Sequence, residues 1–298
     1  MIGRVLVTGA NGFLGHAVCD DLLAHGMVPM KFDGSDDVRN KKQLMDAMNS
    51  GGRITGIINL AGVLGTAETL GVEHHAADVN ILGALNVMDV AAAYDVPMVQ
   101  IATGHEGQPN PYAITKKCTT DLALSRHQWK GQRIAVVRAY HVYGPGQKMC
   151  APHGKSLVRK IVPSFVARAL TGMDIEINGD GSQKIDLVYL DDTARILVGA
   201  LGGPYGHVIE AGTGVPTTVL EAARDVLGAC GSQSKIVHVP MRSGEPEHTT
   251  VVAQVPACPN AWPYRLKETV EWYRAKLAEP KDAPAAEKFP FRQLEDAA

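Results

Sequence analysis

The sequence predicts an α/β protein built on a doubly wound parallel sheet, and three observations carry that prediction. The apolar run Val5-Leu6-Val7 enters a glycine turn, Thr8-Gly9-Ala10-Asn11-Gly12-Phe13-Leu14-Gly15, which leads into a helix through Ala17, Val18, Leu22 and Leu23. Strand-like and helix-like segments then alternate along the first half of the chain. Ile54 to Leu60 is an almost continuous apolar run, as a parallel strand buried on both faces requires.

The glycine turn predicts a dinucleotide site. Gly9 permits the tight turn, Gly12 lets the backbone approach a pyrophosphate, and Gly15 lets helix and strand pack closely, with the helix N-terminus aimed at the anion. The expected cofactor contacts here are Gly9, Asn11, Gly12, Phe13, Leu14 and Gly15. The next strand, Met27 to Phe32, ends in Asp33, an acid placed to accept hydrogen bonds from an adenosine ribose. Gly34 and Ser35 follow it where an arginine or lysine would serve a 2′-phosphate, so NAD is expected over NADP. The Ile54 strand ends in Asn59-Leu60-Ala61-Gly62, whose small residues leave room for a ligand beside the sheet.

A chain of 298 residues has ample length to bury a core, and a formal charge of −2 gives no electrostatic reason to expect nucleic acid or an anionic membrane. Five scattered cysteines, odd in number and without metal-ligand spacing, read as reduced thiols, and adjacent His74 and His75 point in different directions, so no metal is expected. No apolar run approaches the roughly 18 residues of a membrane span, and the N-terminus enters a strand directly. A cytoplasmic protein is expected.

Further along, Lys41 to Met48 reads as a short helix, with a shortened crossover before it, and about His74 to Tyr94 as a long one. Met98 to Ile101 is the fourth strand, running into Ala102 and Thr103, and Pro111 opens the helix behind it. That helix carries Tyr112 and Lys116, four residues apart and so on one face. An ammonium near a phenol favours the phenolate and lowers a pKa that starts near 10, which would make Tyr112 a usable base, with Thr103 sharing the substrate's proton. The catalytic set expected is Thr103, Tyr112 and Lys116.

These motifs together resemble those of the extended short-chain dehydrogenases/reductases, in the NAD-dependent epimerase/dehydratase family that includes nucleotide-sugar epimerases. The resemblance runs from Ile2 to about Lys276. It implies a Rossmann-type domain over residues 1–143 plus about 186–210, and a smaller, discontinuous C-terminal substrate domain over the rest of 144–277. It also implies Asp37 and Val38 beside the adenine, Leu60, Ala61 and Gly62 along the cofactor, and Lys116 on the nicotinamide ribose. Arg242-Ser243-Gly244-Glu245 resembles the family element whose arginine binds the substrate's phosphates, a task suited to a guanidinium fork. Relatives pair through two long helices, matching about 75–94 and 111–129 here, so a homodimer is implied. The segment 278–298, rich in proline, alanine and charge, is expected to be a flexible tail or a dimer arm.

The chain departs from the family pattern at His141 and Glu210, where asparagines are usual, and at Ile185, where an arginine is usual. An aliphatic side chain cannot bind phosphate, so that charge falls to Lys160 or Lys184. His141, Lys160 and Arg242 are the expected substrate contacts. Dehydratases resembling this family carry Asp-Glu directly after the threonine; Gly104 and His105 stand there, which disfavours a 4,6-dehydratase and makes His105 a candidate extra acid or base. The function expected is epimerisation of a nucleotide diphosphate sugar by transient hydride transfer to NAD+. The alternatives are a keto-sugar reductase or dehydrogenase, and a non-catalytic dinucleotide-binding protein.

Overall fold

In a computed structural model, residues 3–279 are described. The first half alternates as β1 (Arg4–Thr8), α1 (Phe13–Ala24), β2 (Val28–Phe32), α2 (Lys41–Asn49) and β3 (Ile54–Asn59). It continues through α3 (Glu73–Ala77), a π-helical segment (Asp78–Gly83), α4 (Ala84–Ala93), β4 (Met98–Thr103), α5 (Pro111–Lys130), β5 (Ile134–Ala139) and β6 (His141–Tyr143). The second half contains α6 (Ile161–Leu170), β7 (Ile175–Asn178), β8 (Lys184–Ile185), β9 (Leu187–Tyr189), α7 (Leu190–Gly199) and β10 (Val208–Ala211). It ends in β11 (Thr217–Thr218), α8 (Val219–Cys230), β12 (Ile236–Val239), β13 (Thr250–Val251) and α9 (Trp262–Ala278).

Six parallel strands form the central sheet in the order β10-β5-β4-β3-β1-β2, a Rossmann arrangement. Alternation along β1 shows the double winding. Val5 and Val7 pack on one face with Val18 and Leu22 of α1 and Leu197 of α7; Leu6 packs on the other with Leu44 of α2 and Val87 and Met88 of α4. The strand order reverses at β1, with β2 on one side and β3 on the other. This switch point opens a crevice at the C-terminal strand ends.

Three buried polar side chains tie those strand ends together. Thr8 Oγ1 donates to Asn59 Oδ1 at 2.5 Å, and Asn59 Nδ2 donates to Gln100 Oε1 at 2.8 Å, linking β1, β3 and β4 beside the crevice. Each is satisfied by its neighbour, so burial costs little.

A second core lies outside this sheet, where Tyr143, Phe165, Val166, Ile175, Leu187, Trp262, Val270 and Tyr273 pack together. Strand β6 already belongs to this side: it pairs with β9, and the central sheet on that edge finishes with Ala139 and Ala211. Trp262 is the first residue of α9, its ring centroid 4.8 Å from that of Tyr143 and its indole N–H donating to Asp225.

One expectation needs correction. Residues Glu73–Ala93 are long and apolar enough, by length and composition, to cross a membrane. Yet Val87, Met88, Val90 and Ala91 are fully enclosed against the sheet, the pattern of a core helix. The short helix expected over Lys41 to Met48 is α2, nine residues long and capped by Asn40, whose side chain accepts from Lys42 and Gln43 N–H. Of the expected tail at 278–298, all beyond Glu279 lies outside the described residues.

Candidate active site

The glycine turn forms as its residue types require. Gly9 has φ +68°, a left-handed conformation costly for other residues, and Gly12 N–H donates back to Gly9 O at 3.0 Å. A Cβ at Gly15 would overlap the carbonyl oxygens of Gly9 and Ala10, so helix α1 can start this close to β1 only with glycine there. Phe13 and Leu14 form the first turn of α1. Asp33, at the end of β2, accepts from Asn11 N–H at 2.7 Å and Gly34 N–H at 2.6 Å, holding its carboxylate against the turn. Arg39 is engaged by Asp37 at 2.6 Å and so is not drawn to Asp33.

This cradle fits NAD. A backbone turn of small residues, a helix start and an acid at the next strand end are the donor and acceptor set for a pyrophosphate and a free ribose. Leu60, Ala61 and Gly62 follow β3 along the same crevice, with Leu60 N–H bonded to Thr8 O and Ala61 N–H to Thr8 Oγ1. Val38, expected beside the adenine, has its side chain in the core, where it fills the space next to Gly83.

Tyr112 and Lys116 project from the first turns of α5, which is started by Pro111 and capped by Asn110 accepting from Ala113 N–H at 3.0 Å. Lys116 is 4% exposed, and its ammonium donates to Ile101 O of β4 at 2.7 Å. Burial lowers its pKa to about 8. Thr103, at the end of β4, shares a hydrogen bond with the Tyr112 side chain.

Burial raises the pKa of the Tyr112 phenol, the Thr103 hydrogen bond opposes this, and the nearby Glu106 carboxylate adds to it. Lys116 is turned to the Ile101 carbonyl.

Above this set sit His105 and His141, edge to face with ring centroids 4.8 Å apart. His105 Nδ1 lies 3.1 Å from Thr103 Oγ1, and burial with the Lys160 ammonium lowers its pKa to about 4. His141 is lowered likewise, by burial, His105 and Lys160, and its Nδ1 is enclosed without a hydrogen-bond partner among the described residues. The Lys160 ammonium thus acts on both rings, whereas Lys184 is exposed and Ile185 is 3% exposed within the second core.

Arg242 is held between Glu68, at 3.0 Å, and Glu245, which Thr66 also contacts. Glu210 serves the scaffold, pairing with Arg138 at 3.0 Å and accepting from Gln254 and Val255 N–H. Gly104 has a plain steric cause: a Cβ there would overlap the Tyr140 ring. An acid at 104 has no room.

Sequence reasoning missed several participants. Asn80, in the π segment, accepts from Val63 N–H at 2.8 Å and donates to Val63 O and Thr115 Oγ1, joining the loop after β3 to the helix of Tyr112. Asp186 is fully buried and takes hydrogen bonds from Thr213, Gly214 and Ala253. Glu106 pairs with Arg138 at 2.8 Å beneath the site. Glu68 carried no motif of its own.

Residues 5–212 match the NAD dependent epimerase/dehydratase family. The chain belongs to this family and is an NAD-dependent enzyme of it. A dTDP-glucose 4,6-dehydratase of Actinoplanes is 35% identical over 183 residues, covering 58% of this chain and 54% of that enzyme, so this match spans about half of the relative's length. A UDP-N-acetyl-alpha-D-glucosaminuronate decarboxylase of Bacillus cytotoxicus is 24% identical across 91% of this chain and 98% of its own. Among solved structures, the UDP-glucose 4-epimerase of Thermus thermophilus in complex with NAD superposes with a TM-score of 0.79 at 25% identity, covering 91% of this chain and 99% of that one. These relatives include an epimerase, a dehydratase and a decarboxylase, which differ in outcome.

Proposed function

We propose that this enzyme epimerises a nucleotide-activated sugar. The observation that carries the reading is the convergence of Thr103, Tyr112 and Lys116 at the crevice edge, with no carboxylic acid directly after Thr103 and no room for one at Gly104. Elimination of water needs an acid and a base beyond the hydride machinery. Epimerisation needs only proton transfer to and from one hydroxyl, with hydride leaving and returning at the same carbon.

Tyr112, as phenolate, takes the proton of the sugar hydroxyl, and Thr103 hydrogen-bonds the developing ketone oxygen. Lys116 binds the nicotinamide ribose and holds positive charge beneath the site. NAD+, when bound, supplies the hydride acceptor, and the keto sugar presents its other face for the return. His141 and Lys160 contact the sugar, and Arg242, released in part from Glu68 and Glu245, binds phosphate. The enzyme works in the cytoplasm as a homodimer.

The test is an NMR assay of the purified protein with NAD+ and a panel of UDP-, dTDP- and GDP-sugars, alongside Tyr112→Phe. A new sugar signal without net NADH, absent in the variant, supports the epimerase. Net NADH or a stable keto sugar moves the assignment to dehydrogenase or dehydratase, and loss of carbon dioxide to decarboxylase.

A further inference from the structure

The Thr103 hydroxyl has one proton and two lone pairs, and the fold accounts for all three. The backbone N–H of His105 donates to Oγ1 at 3.3 Å, the Nδ1 of the same residue lies 3.1 Å away, and Tyr112 shares a side-chain hydrogen bond. The outcome depends on which ring nitrogen of His105 carries its hydrogen. With the hydrogen on Nε2, Nδ1 accepts the Thr103 proton and leaves none for Tyr112 or substrate. With it on Nδ1, both lone pairs of Oγ1 are filled from His105, and the hydroxyl proton has only the phenolic oxygen or the substrate oxygen as acceptor.

The hydride-transfer reading requires the second arrangement, since only there does Thr103 keep a proton to give the developing ketone oxygen. Burial and the Lys160 ammonium keep the ring uncharged, with Glu245 opposing. Nδ1 is already engaged with Thr103 Oγ1, so an N–H there has its acceptor in place. The His141 ring packs edge to face at 63° and fixes the plane of the imidazole.

We propose that His105 is a positioning residue: as the Nδ1–H tautomer it fills both acceptor sites of Thr103 and aims the hydroxyl proton at the oxygen that Tyr112 and the reacting carbon share. The proposal rests on the hydride-transfer reading of this site, and it assigns His105 no proton transfer of its own. An imidazole titrating at about 4 is a weak base for a C–H bond near neutrality. Its benefit is to the phenolate, which gains a donor whose orientation is set before substrate arrives. The groups acting on that phenol are Thr103, which lowers its pKa, and burial and Glu106, which raise it.

The experiment titrates Tyr112 in the full chain saturated with NAD+, reading tyrosinate absorbance as the difference between each protein and its Tyr112→Phe counterpart. His105→Ala raises the Tyr112 pKa by about one to two units, the span of a hydrogen bond to a charged group. His105→Asn, whose amide N–H can stand where Nδ1–H stood, restores the wild-type titration, and His105→Gln does not. An unchanged titration in His105→Ala overturns the proposal, as does rescue by glutamine in place of asparagine. If His105→Ala does not fold, the comparison of the asparagine and glutamine variants decides alone. Turnover by Tyr112→Phe, with these shifts intact, would instead remove the hydride-transfer reading and leave the Thr103 geometry standing.

Discussion

Tyr112 stands between two opposed effects. Burial raises its pKa, while its place as the second residue of the 20-residue helix α5 puts it at the positive end of the peptide dipoles. Replacing it by phenylalanine keeps the shape and removes the base, so conversion should fall by about two to four orders of magnitude while NAD binding persists, as calorimetry against turnover would show. The imidazole beside it makes a separate claim on stability. The folded pKa of His105, about 4, lies below its unfolded value near 6.5, so the unfolded chain binds more protons between these limits. Its contribution is complete above about 6.5 and is lost as pH falls toward 4, by up to about 3 kcal/mol. Urea unfolding at about pH 7.5 and about pH 4.5, either side of most of that window, should show His105→Asn losing less stability on acidification than wild type; an equal loss would place the acid sensitivity elsewhere. The glycine turn, Asp33 and the Tyr-Lys spacing were legible because each is local in sequence. Glu68 and Glu106 were not, since their meaning comes from Arg242 and Arg138, which lie 174 and 32 positions away along the chain.

At the scale of elements, the segment from Glu73 to Ala93 is the least legible and the most informative. Its apolar spacing reads as one helix, and the chain is helical throughout, but six residues from Asp78 take the wider π geometry. Such insertions are rare and cluster at functional sites. The cause here is tertiary. The Asn80 carbonyl accepts from Thr119 and its side chain bridges Val63 and Thr115, so the helix is held at once to the loop after β3 and to α5. No periodicity in the sequence encodes that demand. Asn80→Ala leaves Val63 N–H without its acceptor in a half-buried loop, at a cost of about 1–3 kcal/mol. Because that loop borders the cofactor crevice, NAD affinity should weaken as well, which isothermal titration would register. A variant that loses stability but binds NAD as wild type would confine Asn80 to scaffolding.

At the scale of the whole molecule, the two helices that brace the site also carry exposed aliphatic side chains. Leu82, 54% exposed, lies in the π segment, and Ile114, 58% exposed, lies one turn into α5, two residues beyond Tyr112. Single exposed aliphatics are ordinary, but these two sit on neighbouring helices joined by the Thr119–Asn80 bond. If a second copy covers this face, as the family resemblance implies, the interface and the catalytic helix are one element. The dimer then stabilises the start of α5, and dissociation costs activity. Leu82→Asp combined with Ile114→Asp would place two charges in that interface, where an unpaired buried carboxylate costs several kcal/mol. Light scattering should show wild type at twice the chain mass and the double variant at one, with the NAD-bound form resisting dissociation longest, since a ligand that prefers the ordered site shifts the assembly equilibrium by mass action. A monomeric wild type would detach the exposed pair from assembly. A dimer unaffected by both charges would place the interface on another face.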